Sequence, residues 1–140
     1  MKNFSVTTAS TDQTAPLIID NSALIDWILF GRPIAEWSAA ALHAPTLIDY
    51  EFAHAVRSSV LIGRITASEG REAIESFLKL HIERHPARPL LRAMWAHRHD
   101  MSAYDASYVA LAQLLGAPLL TCDRRLARTA RRSCDVIVPA

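Results

Sequence analysis

"PLIIDNSALIDW", residues 16–27, changes its period in the middle. Leu17, Ile18 and Ile19 form a short unbroken apolar run that stops at Asp20. From Ser22 onward the apolar residues fall at helical spacing: Leu24, Ile25, Ile28 and Leu29. The stretch reads as a buried strand over 17–20 feeding a helix over 22–30, which Gly31 and Pro33 end. A charge at that junction is either a turn residue or the first piece of a site. Taken singly, an Asp at a strand end is most often a turn or cap residue.

The rest of the chain continues the alternation. Residues 34–42 read as a second short helix. "APTL", residues 44–47, reads as a strand, and it runs into helical spacing through Phe52, Val56, Val60 and Leu61 that stops at Gly63. Thr66-Ala67-Ser68-Glu69 is a capping box, in which the Thr hydroxyl takes a free N–H and the Glu reaches back; it opens a helix through Leu80. "LHIERHP", residues 80–86, reads as an edge strand. "PLLRAMWAHRH" reads as a helix with Pro89 near its start. Ser102-Ala103-Tyr104-Asp105 repeats the box with Asp as the last member, opening a helix through Leu115 that Gly116 and Pro118 stop. "LLT", residues 119–121, is a fourth strand, Asp123 caps a short helix through Arg131, and "DVIVP" is a last strand. Short apolar strands alternating with longer helices predict an α/β fold with a mainly parallel sheet covered on both faces.

The 140 residues suit one domain, and half of them are apolar. The expected organisation is a polar, Thr/Ser-rich mobile tail over 1–16 and a single domain over 17–140. The tail lacks the apolar segment of a secretory signal, and no apolar run approaches the ~20 residues of a membrane helix. A cytoplasmic protein without membrane contact is expected. Cys122 and Cys134 match no zinc spacing and read as thiols. Trp27, Trp37 and Trp95 read as core. The formal net charge of +1 hides an asymmetry. Residues 1–80 carry 6 Lys/Arg against 9 Asp/Glu, whereas 81–140 carry 9 Arg against 5 Asp/Glu. Five of those arginines fall in the run "RRLARTARR", residues 124–132, a local basic patch suited to a polyanion.

In parallel sheets, ligands sit beyond the carboxyl ends of the strands. Asp20 and Asp123 fall at such ends, and Glu51 near the start of the helix after "APTL". Asp105 opens the helix that runs antiparallel into the fourth strand, so it returns to the same edge. Four carboxylates gathered on one edge repel one another unless cations occupy the cluster. All-oxygen ligands favour hard ions, Mg²⁺ or Mn²⁺. Such ions can activate a water and stabilise the leaving oxygen of a phosphodiester. Arg124, Arg125 and Arg128 stand next to the cluster in sequence, placed to hold a phosphate backbone. Each acid also has an ordinary reading as a cap or a helix-dipole partner. His81 with His85, and His97 with His99, make a weaker zinc signal, because no Cys accompanies them and H-x-x-x-H needs a helix.

"LIIDNSALIDWIL", "APTLIDYEFAHAVR" and "MSAYDASYVALAQLLGAPLLTCDRRLA" resemble the three motif blocks of PIN-domain ribonucleases, most closely the VapC-like toxins of bacterial toxin–antitoxin pairs. The resemblance spans residues 17–138. It implies a three-layer α/β/α sandwich and an endoribonuclease dependent on Mg²⁺ or Mn²⁺, with Asp20, Glu51, Asp105 and Asp123 as catalytic and metal-holding residues. It also implies a homodimer, an RNA substrate and a small cognate antitoxin that blocks the groove. Ser22 and Thr121 match the small hydroxyl residues that orient the carboxylates, and Ser102 is expected beside them. His54 stands where the family often has Asn and is expected to support the same acids. The rival expectation is a catalytically silent module of this fold that binds RNA or a protein. A receiver domain needs a Lys near the last strands, whereas the lysines here are Lys2 and Lys79. An Asp-nucleophile phosphatase needs D-x-D, whereas Asp20 is followed by Asn21 and Ser22.

Overall fold

A computed structural model describes residues 14–32 and 40–140. Five strands form one sheet: β1 (Pro16–Ile19), β2 (Ala41–Pro45), β3 (Ile82–His85), β4 (Leu119–Leu120) and β5 (Val136–Ile137). Every pairing is parallel, and the order across the sheet is β3-β2-β1-β4-β5. The helices are α1 (Asn21–Phe30), α2 (Leu47–Leu61), α3 (Ala67–Leu78), α4 (Leu91–Ala96), α5 (Ala103–Leu115) and α6 (Arg124–Ala130). From β1 the chain steps outward to β2 and β3, then crosses back to β4 and β5 on the other side. Right-handed crossovers in opposite directions put α1 to α3 on one face and α4 to α6 on the other. The result is a three-layer α/β/α sandwich, and β1 and β4 flank the point where the strand order reverses.

The apolar pattern explains the layers. Leu17, Ile18 and Ile19 are all buried because β1 is central and covered on both sides. Phe52 of α2 stacks on Phe77 of α3 with ring centroids 4.2 Å apart. Gly70 lets those helices approach closely, since a Cβ there would lie 2.9 Å from Cγ2 of Val60. Thr66 and Glu69 form the expected capping box at the start of α3. Gly116 ends α5 at φ 58°, a left-handed conformation that suits glycine.

Several boundaries differ from the sequence reading. Of the helix expected over 34–42, residues 34–39 lie outside the described residues, and Ala41 and Leu42 belong to β2. Ala and Leu favour helix locally, but pairing with β1 on one side and β3 on the other overrides that propensity. The second strand therefore ends at Pro45, and Leu47 already opens α2. The helix expected to reach Leu80 ends at Leu78. Most of the tail expected over 1–16 lies outside the described residues, and Pro16 starts β1. Trp95 is 68% exposed, with the Arg98 guanidinium over its ring, so it is not a core residue. Trp27 packs against the core, and Trp37 lies outside the described residues. No described helix is long and apolar enough to cross a membrane.

Candidate active site

The site starts from Asp20. It caps α1, its Oδ1 accepting from the Ala23 N–H at 3.2 Å, as a residue leaving a strand for a helix should. The same Oδ1 accepts from the Ser22 hydroxyl at 2.7 Å, and Oδ2 accepts from the Thr121 hydroxyl at 2.6 Å. Ser22 Oγ in turn accepts the backbone N–H groups of Cys122 and Asp123, at 2.8 and 3.1 Å. Thr121 Oγ1 accepts the Asp123 N–H as well, at 3.0 Å. Two hydroxyls thus fasten the end of β1 to the end of β4, about a hundred residues apart in sequence. Asp123 then caps α6, its Oδ1 accepting from the N–H groups of Arg125 and Leu126.

Glu51 and Asp105 come from opposite layers. Glu51 lies in the second turn of α2, and its Oε1 accepts from the Tyr108 hydroxyl at 2.6 Å. Asp105 lies in the first turn of α5, whose start Ser102 caps by accepting the Asp105 N–H. Charge links the acids in two pairs, Asp20 with Asp123 and Glu51 with Asp105, and Tyr108 and Arg125 join the pairs. Burial lifts the Asp20 carboxyl to about 6, against hydrogen bonds from Ser22, Thr121 and Ala23 that lower it, and the Asp123 charge adds to the rise. Burial also raises Glu51; the Tyr108 hydrogen bond opposes this and the Asp105 charge adds to it. Tyr108 is held far above its ordinary range, first by burial and then by the Glu51, Asp20 and Asp105 carboxylates. It remains a hydrogen-bond donor.

The donor set suits a hard divalent cation. It is all carboxylate oxygen, and two of its members are raised by burial, a cost that a cation would offset. Among the described residues the cation at the cluster is Arg125, whose Nη2 lies 3.0 Å from Asp105 and 3.6 Å from Asp123. Asp20 and Glu51 have no cationic partner there. Beside them, Asn21 donates to the Glu51 carbonyl at 3.4 Å, while its own Oδ1 is buried with no hydrogen-bond partner.

The remaining sequence-predicted residues distribute as follows. Ser102 braces the α5 backbone and touches no carboxylate. His54 is exposed on α2 and hydrogen-bonds to none of the four acids. Arg124 and Arg128 are exposed on α6, whereas Arg125 is paired with the acids. Asp26 and Asp49 lie apart, paired with Arg32 and with Arg84. Tyr108 and Asn21 were missed. Tyr108 follows Asp105 by three positions, one helical neighbour along the same face, and that spacing was the available signal.

Comparison with known proteins bears on the family and the fold. The PIN domain family model matches residues 17–132. The VapC ribonuclease Mb0985 of Mycobacterium bovis is 37% identical over 123 residues, covering 87% of this chain and 97% of that protein. Ribonuclease VapC1 of Mycobacterium tuberculosis is 41% identical over 95 residues, covering 67% of this chain and 71% of that protein. Two solved structures share the fold. PAE2754 of Pyrobaculum aerophilum superposes with a TM-score of 0.65 at 24% identity, covering 86% of this chain and 83% of that one. VapBC2 of Rickettsia felis, bound to a DNA fragment from its promoter, gives 0.67 at 11% identity, covering 89% and 99%. With the family model spanning most of its length and a VapC relative matched almost end to end, this chain belongs to the PIN-domain family, in its VapC-like branch.

Proposed function

We propose that this protein is the toxin of a toxin–antitoxin pair, an endoribonuclease that hydrolyses RNA phosphodiester bonds with Mg²⁺ or Mn²⁺. The observation that supports it best is the charge coupling of Asp20 with Asp123 and of Glu51 with Asp105, with Tyr108 sensing Glu51, Asp20 and Asp105 together and Asp20 and Glu51 lifted by burial. Asp20, Glu51 and Asp105 would hold the principal cation, with Asp123 assisting. The bound cation supplies activation of a water and neutralisation of charge on the leaving oxygen.

The chain's own residues do the positioning. Ser22 and Thr121 fix both Asp20 oxygens, so the carboxylate cannot rotate away from the crevice. Tyr108 holds one Glu51 oxygen and leaves the other free to act. Arg125 is anchored at the acids yet 71% exposed at its side chain, so it can exchange a carboxylate for an RNA phosphate. Arg124 and Arg128 on the same short helix extend that cationic rim. Attack in line with the departing 3′ oxygen leaves 5′-phosphate and 3′-hydroxyl ends.

The partners follow from the same reading: RNA as substrate, a small antitoxin that masks the groove, and a second copy of the chain as a homodimer, all in the cytoplasm. Phe30, Leu61, Ile62 and Leu78 are exposed apolar residues that support protein contacts. The test is cleavage of an RNA pool by wild type and by Asp105→Asn, each with and without chelator. Cleavage should require the cation and vanish in the variant. Undiminished cleavage in excess chelator, or a fully active variant, would overturn the proposal. RNA binding without cleavage would favour a silent binding module instead.

A further inference from the structure

A second cluster of ligand-type side chains lies on the other branch of the sheet. His43 on β2 is in register with Glu83 on β3, and His85 follows Glu83 by two residues on the same strand. With a side-chain period of two, all three share one face of the sheet. Arg84, between Glu83 and His85, points the other way: it lies over the Phe77 ring and makes a paired hydrogen bond to Asp49. The three side chains meet. His43 Nδ1 lies 2.9 Å from His85 Nε2 and 3.5 Å from Glu83 Oε2, and one ligand atom from each residue falls within 4.8 Å of the others.

We propose that His43, Glu83 and His85 form a second cation site, suited to Zn²⁺, that clamps edge strand β3 to β2. Two imidazoles and a carboxylate are a donor set of zinc sites, with the fourth position open to water. Two Zn–N bonds of about 2.0–2.1 Å at a tetrahedral angle put the nitrogens about 3.3 Å apart, so the pair need open by only a few tenths of an ångström. The ion would take the place of the single proton the two rings share. Burial keeps the His43 ring below its ordinary value, the Glu83 charge opposing and His85 adding to this. An unprotonated imidazole is the form that ligates. The nitrogen donors separate this site from the all-oxygen nuclease cluster, which suits Mg²⁺ or Mn²⁺. The sequence pairing His81–His85 pointed to the right strand and the wrong partner. His81 is exposed before β3, and the ring that meets His85 arrives from a neighbouring strand.

The test uses tag-free, metal-stripped full-length protein titrated with Co²⁺, followed by its visible absorption, with Zn²⁺ added as competitor. One ion per chain should bind with a tetrahedral cobalt spectrum that Zn²⁺ abolishes. Glu83→Gln and His85→Gln should each weaken binding at least tenfold, while Asp105→Asn should leave it unchanged. Glu83 has a 63% exposed side chain, so its variant keeps the fold, as far-ultraviolet dichroism will check. The proposal is overturned by a spectrum that survives both substitutions, by one lost only in Asp105→Asn, by a sulfur charge-transfer band from Cys122 or Cys134, or by no binding. None of these outcomes depends on RNA cleavage, so this site and the nuclease reading fail separately.

Discussion

Replacing Asp20 with asparagine removes one charge and almost no volume. In the metal-free protein that charge is held against its preference, because burial lifts the carboxyl to about 6 from an ordinary 3.8. At about 1.4 kcal/mol per pH unit, the ionised group costs the fold about 3 kcal/mol at neutral pH. The folded-state value lies above the unfolded one, so the folded protein binds more protons between the two. Stability therefore falls as pH rises through that window and stays low above it, the reverse of a salt-bridged acid. Asparagine can keep the hydrogen bonds. Its oxygen replaces Oδ1, which takes Ser22 and the Ala23 N–H, and its NH₂ donates to the Thr121 hydroxyl in a reversed bond. Allowing about 1 kcal/mol for that reversal, Asp20→Asn should gain about 2 kcal/mol in chelator at about pH 7.5. Urea unfolding measures it. The gain should fall by about two thirds near pH 5 and vanish near pH 4.5, where the folded carboxyl is protonated and the unfolded one is losing its charge, so that below this only the cost of the reversed bond is left. Saturating Mg²⁺ should raise the stability of wild type and leave the variant unmoved, while the variant cleaves no RNA. A variant less stable than wild type in chelator at about pH 7.5, or an advantage that ignores pH, refutes the electrostatic account of the site.

Three further outcomes are expected. Tyr108→Phe removes only the hydroxyl that holds Glu51 and should lower cleavage about 10- to 100-fold with the fold intact, the Mg²⁺ midpoint of activity moving upward. Arg125→Ala removes the guanidinium beside Asp105 and Asp123. Mg²⁺ should then bind more tightly by calorimetry, while the salt slope of RNA binding falls by about one. Gly70→Ala forces a Cβ to within 2.9 Å of Val60, so it should destabilise the α2–α3 contact by about 1–3 kcal/mol in urea, with activity per folded molecule unchanged.

How far these features could be read from the chain follows from the range of the forces involved. Asp20 stands out because the apolar period changes at that residue, and a period change is a local signal. Asp105 is reachable by topology, since a helix running antiparallel into a parallel strand must begin at that strand's carboxyl end. Residues 41 and 42 misled because their helix propensity is local, whereas the pairing that makes them strand comes from β1 and β3 on either side. Tyr108 lies in a run buried from Ala106 to Ala112 and looks like one more core residue; only its hydroxyl on Glu51 sets it apart. Arg125 was expected at phosphate with its neighbours. The Asp123 cap, however, orients the first turn of α6 so that the second residue of the helix turns back onto the acids. His54 shows the converse. Its spacing from Glu51 matches one helix face, yet α2 leaves it exposed, and the hydroxyl that reaches Glu51 comes from Tyr108 in the opposite layer. Spacing thus tells where the backbone hands over from strand to helix and which residue types arrive there. The protonation state and orientation of each carboxylate depend on hydroxyls and charges delivered by other layers. In this protein those partners stand 57 residues from Glu51 and 101 from Asp20. A carboxylate raised to about 6 is the signature of that assembly, because neither burial nor the Asp123 charge exists until the two sides of the sheet have met.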